Sequence, residues 1–223
     1  MITAKGVGFD YGSLRVIDGL DLQVDKHELV ACVGPSGCGK STLLSLLAGH
    51  IAPTRGTITR GGASRTIYQD GGLFPWLTVA QNIALGNPKK VGEWLEITRL
   101  KEFADHYAHQ LSGGMRQRVE LARALAAETD ILLMDEPFGA LDYQTRNRMR
   151  RELVATLAER PRTVIFVTHD IEEAVQIGDR VVVLETRPAR VKRVLSLPGG
   201  RSRAPAAPGV AEAEQTIMEE LGL

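Results

Sequence analysis

Four short runs of almost entirely apolar residues recur along the chain and predict its central sheet. The runs are Leu29–Val33, Ile131–Met134, Val164–Val167 and Val181–Leu184. Strands that are buried on both faces of a parallel sheet have this continuous apolar pattern. Stretches with helical spacing of apolar residues alternate with the runs, so the sequence predicts an α/β core.

The residues before the first run have a different pattern. Apolar and polar positions partly alternate in Ile2–Phe9 and again in Val16–Val24, and a Gly12-Ser13 pair separates the two segments. Alternation interrupted by a turn signal is typical of two paired antiparallel strands. Tyr11 lies at this predicted turn.

A helical lobe is predicted between the first and second apolar runs. Short helices are expected at Val79–Leu85, Glu93–Leu100 and Lys101–Tyr107, with Gly and Pro residues between the first two. We interpret residues 71–128, approximately, as a helical lobe inserted into the sheet domain.

The composition changes again after residue 198. Gly, Arg, Ala and Pro dominate as far as Gly209, which is typical of a flexible linker, and Ala211–Leu221 predicts a terminal helix. The sequence is therefore divided into a domain of residues 1–198 and a C-terminal linker and short helix of residues 199–223.

Composition and charge exclude several classes of protein. A chain of 223 residues with 43% hydrophobic residues can bury one good core. Lys plus Arg equal Asp plus Glu at 27 each, so no overall field favours nucleic acid. The basic run 146–151 is expected on a solvated helix at 143–159, and no nucleic-acid partner is predicted.

The apolar stretches and the cysteines indicate in which cellular compartment the chain is expected. No apolar stretch approaches the roughly 18 residues of a membrane span, and the first residues lack the apolar core of a signal peptide. Two cysteines, Cys32 and Cys38, are too few for a disulfide framework, which indicates a reducing compartment.

A glycine-rich loop follows the first apolar run and precedes a helix-like stretch. It reads G-x-x-x-x-G-K-S, the pattern in which backbone N–H groups and a helix N-terminus surround phosphate oxygens. Lys40 would reach the β- and γ-phosphates, and Ser41 would ligate Mg²⁺. Cys38 is either activated by the helix N-terminus or inertly packed. The candidate phosphate-binding residues are Gly34, Pro35, Ser36, Gly37, Cys38, Gly39, Lys40, Ser41 and Thr42.

Two adjacent carboxylates follow the second apolar run. Since neighbouring side chains on a strand point in different directions, Asp135 is assigned to the metal and Glu136 to the attacking water. His169 follows the strand predicted at Thr163–Thr168, where it could contact the γ-phosphate or that water.

A second helix start has the character of an anion site. In Leu111–Arg118, Ser112 is a good N-cap, Gly113 and Gly114 allow close approach, and a helix follows from Met115 to Ala127. One nucleotide site does not need two such helix ends unless two chains share the nucleotide.

These motifs together resemble the ATP-binding cassette (ABC) ATPases, and the resemblance covers residues 1 to about 198. Gly34–Thr42 is similar to the Walker A loop, Leu111–Gln117 to the signature and Ile131–Glu136 to the Walker B motif. The remaining matches are Gly139–Asp142 to the D-loop, His169 to the switch histidine, Gln69 to the Q-loop glutamine and Tyr11 to the aromatic that stacks on adenine.

The resemblance implies a fold and an activity. The fold is a P-loop NTPase core with a mixed sheet, an antiparallel β lobe and an inserted helical lobe. The activity is hydrolysis of ATP with Mg²⁺, in which Gln69 contacts the metal or the water and senses a membrane partner.

The resemblance also implies an assembly. Two cassettes, as a homodimer or with a paired cassette, bind head to tail and share two ATPs, each between the Walker A loop of one chain and the signature of the other. The dimer is peripheral to the cytoplasmic face of the membrane, binds permease subunits and serves a solute-binding protein indirectly.

The segments around these motifs point to one branch of the family. Leu73–Val79, Asn82–Gly86 and Asp135–Asp142 are similar to importer ATPases for nitrate, sulfonate, taurine or bicarbonate. Phe74, Pro75 and Trp76 would anchor a permease helix, or Trp76 would pack inside the helical lobe. The alternative function is a soluble cassette ATPase of the DNA-repair or translation type; the long coiled-coil insertion of repair members is absent from this sequence.

Overall fold

A computed structural model describes residues 1–69 and 72–223 of the chain. The strands are β1 (Ile2–Tyr11), β2 (Leu14–Val24), β3 (Leu29–Val33), β4 (Arg55–Arg60), β5 (Ser64–Ile67), β6 (Ile131–Asp135), β7 (Thr163–Thr168), β8 (Arg180–Leu184) and β9 (Val191–Ser196). The helices are α1 (Lys40–Ala48), α2 (Val79–Ala84), α3 (Val91–Ile97), α4 (Gly113–Ala126), α5 (Tyr143–Glu159), α6 (Ile171–Ile177) and α7 (Val210–Leu221).

The central sheet has the strand order β5-β6-β7-β3-β8-β9 over the described residues. Its pairs are parallel except for β8 and β9, so the sheet is mixed, as predicted. The four apolar runs are the four inner strands, and almost all of their side chains are buried. The carboxyl ends of β3, β6 and β7 meet at one edge, which is where ligands bind in open α/β sheets.

A second, antiparallel sheet has the order β2-β1-β4. The predicted pairing of the first two strands is confirmed, and β4 adds a third strand with the sequence RGTITR on the other side of β1. This sheet carries Tyr11 at the end of β1 toward the carboxyl edge of the central sheet.

The helical lobe consists of α2, α3 and the longer α4, with the side chain of Trp94 buried among them. Residue 71, the predicted start of the lobe, lies outside the described residues. The helix predicted at Lys101–Tyr107 was wrong: a single 3-10 turn spans Lys101–Phe103, and another spans Ala108–Gln110.

Hydrogen bonds to the start of α2 explain why the segment 101–107 does not form the predicted helix. The N–H of Val79 donates to the carbonyl of His106 at 2.8 Å, and the N–H of Ala80 donates to the carbonyl of Ala104 at 2.9 Å. The first N–H groups of a helix have no partner within the helix, and here carbonyls of the segment 101–107 accept hydrogen bonds from them. These carbonyls therefore serve α2 instead of a helix of their own.

The basic run on α5 is less exposed than expected. Arg150 is buried, and its Nη2 donates to Asp170 at 3.0 Å and to Glu173 at 3.3 Å. Burial raises the pKa of Glu173 to about 8, against the opposing effect of the Arg150 charge. These contacts join α5 to the start of α6, immediately after His169.

The C-terminal segment is held against the domain, in contrast to the flexible linker expected at residues 199–209. Arg201 pairs with Asp179 at 2.6 Å, and Arg203 donates to the carbonyls of Val175 and Gly178 at the end of α6. The buried face of α7 joins the main core. In the part of the chain that the structure describes, no helix combines the length and apolarity needed to cross a membrane.

Candidate functional site

A cavity of about 400 Å³ opens at the carboxyl edge of the central sheet. It brings together most of the residues that the sequence predicts for the site: Tyr11, Ser36, Gly37, Gly39, Lys40, Ser41, Thr42, Gln69, Asp135, Glu136 and His169. Its lining, over the described residues, does not include the other predicted ones: Gly34, Pro35, Cys38, Ser112, Gly113 and Gly114.

The glycine-rich loop reaches its shape through residues in the left-handed region. Gly37 and Gly39 have φ angles of 73° and 117°, which side chains strongly disfavour. A Cβ at Gly39 would also lie 3.0 Å from a side-chain carbon of Val16. Helix α1 begins directly after Gly39, so its first N–H groups face the loop and can bind an anion.

Lys40 lies over this loop. Its Nζ donates to the carbonyl oxygens of Gly34 at 2.7 Å and Pro35 at 3.0 Å. The two carbonyls therefore hold a positive charge at the wall of the cavity, within the loop that the phosphate pattern predicts.

Cys38 is inertly packed, which decides between the two interpretations of its sequence position. The residue is buried, and burial raises the pKa of its thiol despite the nearby Lys40 charge. A Cβ on Gly34 would lie 2.9 Å from its Sγ, so the glycine makes room for the thiol.

Glu136 has a left-handed backbone with φ of 48°, rare for a residue with a side chain. This conformation interrupts the alternation of β6, and both Asp135 and Glu136 line the cavity. The Glu136 carboxylate Oε2 lies 2.9 Å from Nδ1 of His169 and accepts a hydrogen bond from Thr168 at 3.3 Å. His169 is 72% exposed at its side chain, against 12% for Glu136.

His169 is oriented by contacts on both sides. Toward the site, a proton on Nδ1 would donate to the Glu136 carboxylate and leave Nε2 free for a ligand. Away from the site, Asp170 caps α6 by accepting from the N–H of Glu173 at 2.9 Å and pairs with Arg150. The fold thus fixes a histidine and a carboxylate at the mouth of the cavity.

Three predicted metal ligands line the same cavity. Ser41, Gln69 and Asp135 offer a hydroxyl, an amide and a carboxylate oxygen, which are the ligand types that Mg²⁺ prefers. The residues present therefore fit the ion that the sequence predicts.

Tyr11 contributes an exposed aromatic residue to the lining of the cavity. The residue is 55% exposed, and its ring contacts Phe9 in a T-shaped arrangement with centroids 4.7 Å apart. An exposed aromatic ring can offer a face on which a purine stacks. The adenine role of Tyr11 stays a prediction.

Sequence reasoning missed Arg187 as a lining residue. It lies in the turn between β8 and β9, which bonds to β2 through the N–H of Ala189 and the carbonyl of Val16 at 2.8 Å. The available signal was its position after the apolar run Val181–Leu184, because that strand ends at the same edge as the phosphate loop.

The second helix end lies elsewhere on the surface. Ser112 caps α4, as predicted, by accepting from the N–H of Met115 at 3.3 Å. Ser112 and Gly113 are exposed, while a Cβ on Gly114 would lie 3.0 Å from the carbonyl oxygen of Ala140. One chain therefore presents two separate helix N-termini with exposed surroundings.

Comparison with known proteins identifies relatives with this arrangement. The family model described as ABC transporter matches residues 17–139. An aliphatic sulfonates import ATP-binding protein, SsuB of Bacillus cereus, is 41% identical over 209 residues, which are 86% of this chain and 83% of that protein. A taurine import ATP-binding protein, TauB of Pelagibacter ubique, is 40% identical over 204 residues, 83% of this chain and 77% of that protein.

Solved structures have the same fold. The dimeric structure of the bacterial ABC transporter cassette MJ0796 is 30% identical with a TM-score of 0.77, covering 89% of this chain and 100% of that one. A dimeric post-hydrolysis state of the same cassette, bound to ADP and Pi, has a TM-score of 0.80 at 29% identity, with the same coverage. The chain therefore belongs to the ABC transporter family and is an ATPase of that family.

Proposed function

We propose that the chain is the ATP-hydrolysing subunit of an ABC importer. Two copies, or this chain and a paired cassette, bind head to tail and enclose two ATPs between the phosphate loop of one and Ser112–Gly114 of the other. The observation that carries this proposal is the exposed start of α4, which offers N–H donors but does not line the chain's own cavity among the described residues.

Hydrolysis in this site rests on positioning and electrostatics. Lys40 exchanges its loop carbonyls for oxygens of the β- and γ-phosphates, and Tyr11 stacks on the adenine. Glu136 orients a water and accepts its proton as the water oxygen bonds to the γ-phosphorus and the bond to the ADP oxygen breaks. His169 contacts the γ-phosphate through Nε2, the ring nitrogen that is not paired with Glu136. Mg²⁺ held by Ser41, Gln69 and Asp135 would supply positive charge to the phosphates.

A groove beside Gln69 is the proposed binding site for a permease subunit. A cavity of about 270 Å³ lies between the end of β5 and α4 and is lined in part by Tyr68, Phe74 and Arg123. The Arg123 guanidinium lies 5.6 Å from the centre of the Phe74 ring, and the Phe74 and Trp76 ring centres are 5.3 Å apart. Trp76 is 68% exposed, which favours the anchor over the packed interpretation.

Asn82 fixes the loop that carries these aromatic residues. Its buried amide donates to the carbonyls of Phe74 and Leu77 and accepts from the N–H of Phe74 at 3.0 Å. The loop therefore presents Trp76 on a rigid support, as an anchor for an apolar helix requires.

The solute proposed is a small anion or zwitterion. The relatives named for aliphatic sulfonate and taurine import support a sulfonate or taurine, with nitrate and bicarbonate as further candidates. A solute-binding protein and the permease select it, and the ATPase acts at the cytoplasmic face of the membrane.

Trp76→Ala tests the permease surface. The permease that co-purifies with this chain is reconstituted in proteoliposomes, and its affinity for the ATPase is measured. We expect the Trp76→Ala variant to bind the permease about 30-fold more weakly, the effect of losing an anchor of about 2 kcal/mol. ATP hydrolysis by the free ATPase should not change. Met218→Ala, an exposed apolar residue on α7, is the matched control. Unchanged permease affinity in Trp76→Ala would remove this surface from the proposal.

A further inference from the structure

We infer that Gln117, on α4, is a positioning residue for Glu136. The inference rests on the proposed function, in which Glu136 activates the water. Gln117 does not line the cavity among the described residues, so it acts through the backbone rather than by touching the nucleotide.

Both ends of the Gln117 amide are used. Its Nε2 donates to the carbonyl oxygen of Glu136 at 2.8 Å, and its Oε1 accepts from the N–H of Ala140 at 2.9 Å. Because an amide nitrogen only donates and an amide oxygen only accepts, the two partners fix the orientation of the side chain. One residue of α4 thus bridges the start and the end of the turn 136–140.

The bridged turn begins at a strained residue. Glu136 has a φ of 48°, and such a conformation persists only where surrounding contacts enforce it. The N–H of Glu136 donates to Val167 at 3.0 Å, and its carbonyl also accepts from Gly139 at 3.1 Å. These bonds shape the turn within the sheet, whereas the bond from Gln117 sets its position against α4.

The close packing of α4 supports the same reading. A Cβ on Gly114 would lie 3.0 Å from the carbonyl oxygen of Ala140, so the helix already approaches the end of the turn. With the backbone of Glu136 held from two sides, its carboxylate is directed toward His169 and the cavity. Small errors in the position of such a group are costly, since a displacement of about 1 Å can lower a rate about 100-fold.

Two variants separate the bonds of Gln117. Gln117→Glu keeps the length and an acceptor for Ala140 but cannot donate to the Glu136 carbonyl. Gln117→Met keeps the approximate volume and removes both bonds. Gln215→Met, on the exposed side of α7, is the matched control.

The experiment measures kcat and KM for ATP hydrolysis, the Kd for ATP and the melting temperature of each variant. We expect kcat of both Gln117 variants to fall about 10-fold or more through misplacement of Glu136, with KM and Kd within about twofold of the unaltered chain. In a Glu136→Gln background, Gln117→Met should lower the residual kcat no further, because the positioned carboxylate is already absent.

The outcomes separate this inference from the proposed function. Near-normal hydrolysis by Glu136→Gln alone contradicts the role of Glu136 and thus the proposed mechanism. If Glu136→Gln is inactive but Gln117→Glu and Gln117→Met keep kcat within about twofold, the positioning role is overturned. Loss of ATP affinity or of melting temperature in parallel with kcat in both variants overturns it as well, because Gln117 would then act only in general structure.

Discussion

Replacing Glu136 with Gln is expected to lower steady-state ATP hydrolysis by about 10²- to 10⁴-fold, the range that a general base contributes. The neutral amide keeps the length of the side chain and can still contact His169, which lies 2.9 Å from the carboxylate in the structure. It cannot accept the proton of the attacking water. ATP binding should persist, because Lys40 and the phosphate loop are unchanged.

Phosphate release and equilibrium ATP binding, measured on the same preparation, check this expectation. Glu128→Gln is the matched control, since Glu128 is an exposed carboxylate that pairs with Arg160 on the surface. Hydrolysis by Glu136→Gln at a rate comparable to that control would contradict the assignment of Glu136.

Lys40→Ala is expected to weaken ATP binding by about 10- to 100-fold, the effect of losing charged hydrogen bonds of about 1.5–3 kcal/mol. The Lys40 ammonium is held at the cavity wall by two carbonyls of its own loop, at 2.7 and 3.0 Å. It can exchange these for phosphate oxygens without a large movement of the chain. Since Lys40 is assigned to the β- and γ-phosphates, affinity for AMP should change little.

Titration with fluorescent ATP and competition by AMP separate the contribution of Lys40 to binding the β- and γ-phosphates from its contribution to the shape of the loop. Lys89→Ala, an exposed lysine of the helical lobe, controls for the loss of a positive charge. An equal loss of ATP and AMP affinity would mean that the loop collapses without Lys40, and unchanged ATP affinity would remove Lys40 from the site.

The sequence predicted the inner strands well because burial on both faces leaves a local signal. Each of the four apolar runs is recognisable without knowing its neighbours, and each is a parallel strand of the central sheet. Strand β4 has no such signal, because its residues are mostly exposed and it pairs with β1 from a distance of about fifty residues along the chain.

In the site, too, residues with a local sequence signal could be predicted, and residues placed by contacts between distant segments could not. The phosphate loop, Asp135, Glu136 and His169 could be predicted because each follows a recognisable strand. The burial of Arg150 was missed because its hydrogen-bond partners, Asp170 and Glu173, lie at the start of α6 and meet it only after folding. Gln117 and Arg187 were missed for a similar reason, since their positions depend on contacts between distant segments rather than on sequence pattern.

The most direct test of the central claim is the mass in solution of Glu136→Gln with saturating Mg·ATP, measured by analytical ultracentrifugation. A nucleotide shared between the phosphate loop of one chain and the start of α4 of another predicts a dimer that binds two ATPs. It also predicts that Ser112→Arg abolishes the dimer without changing ATP binding by the monomer. A Glu136→Gln protein that stays monomeric at high concentration, and does not pair when joined to its permease, would contradict the account.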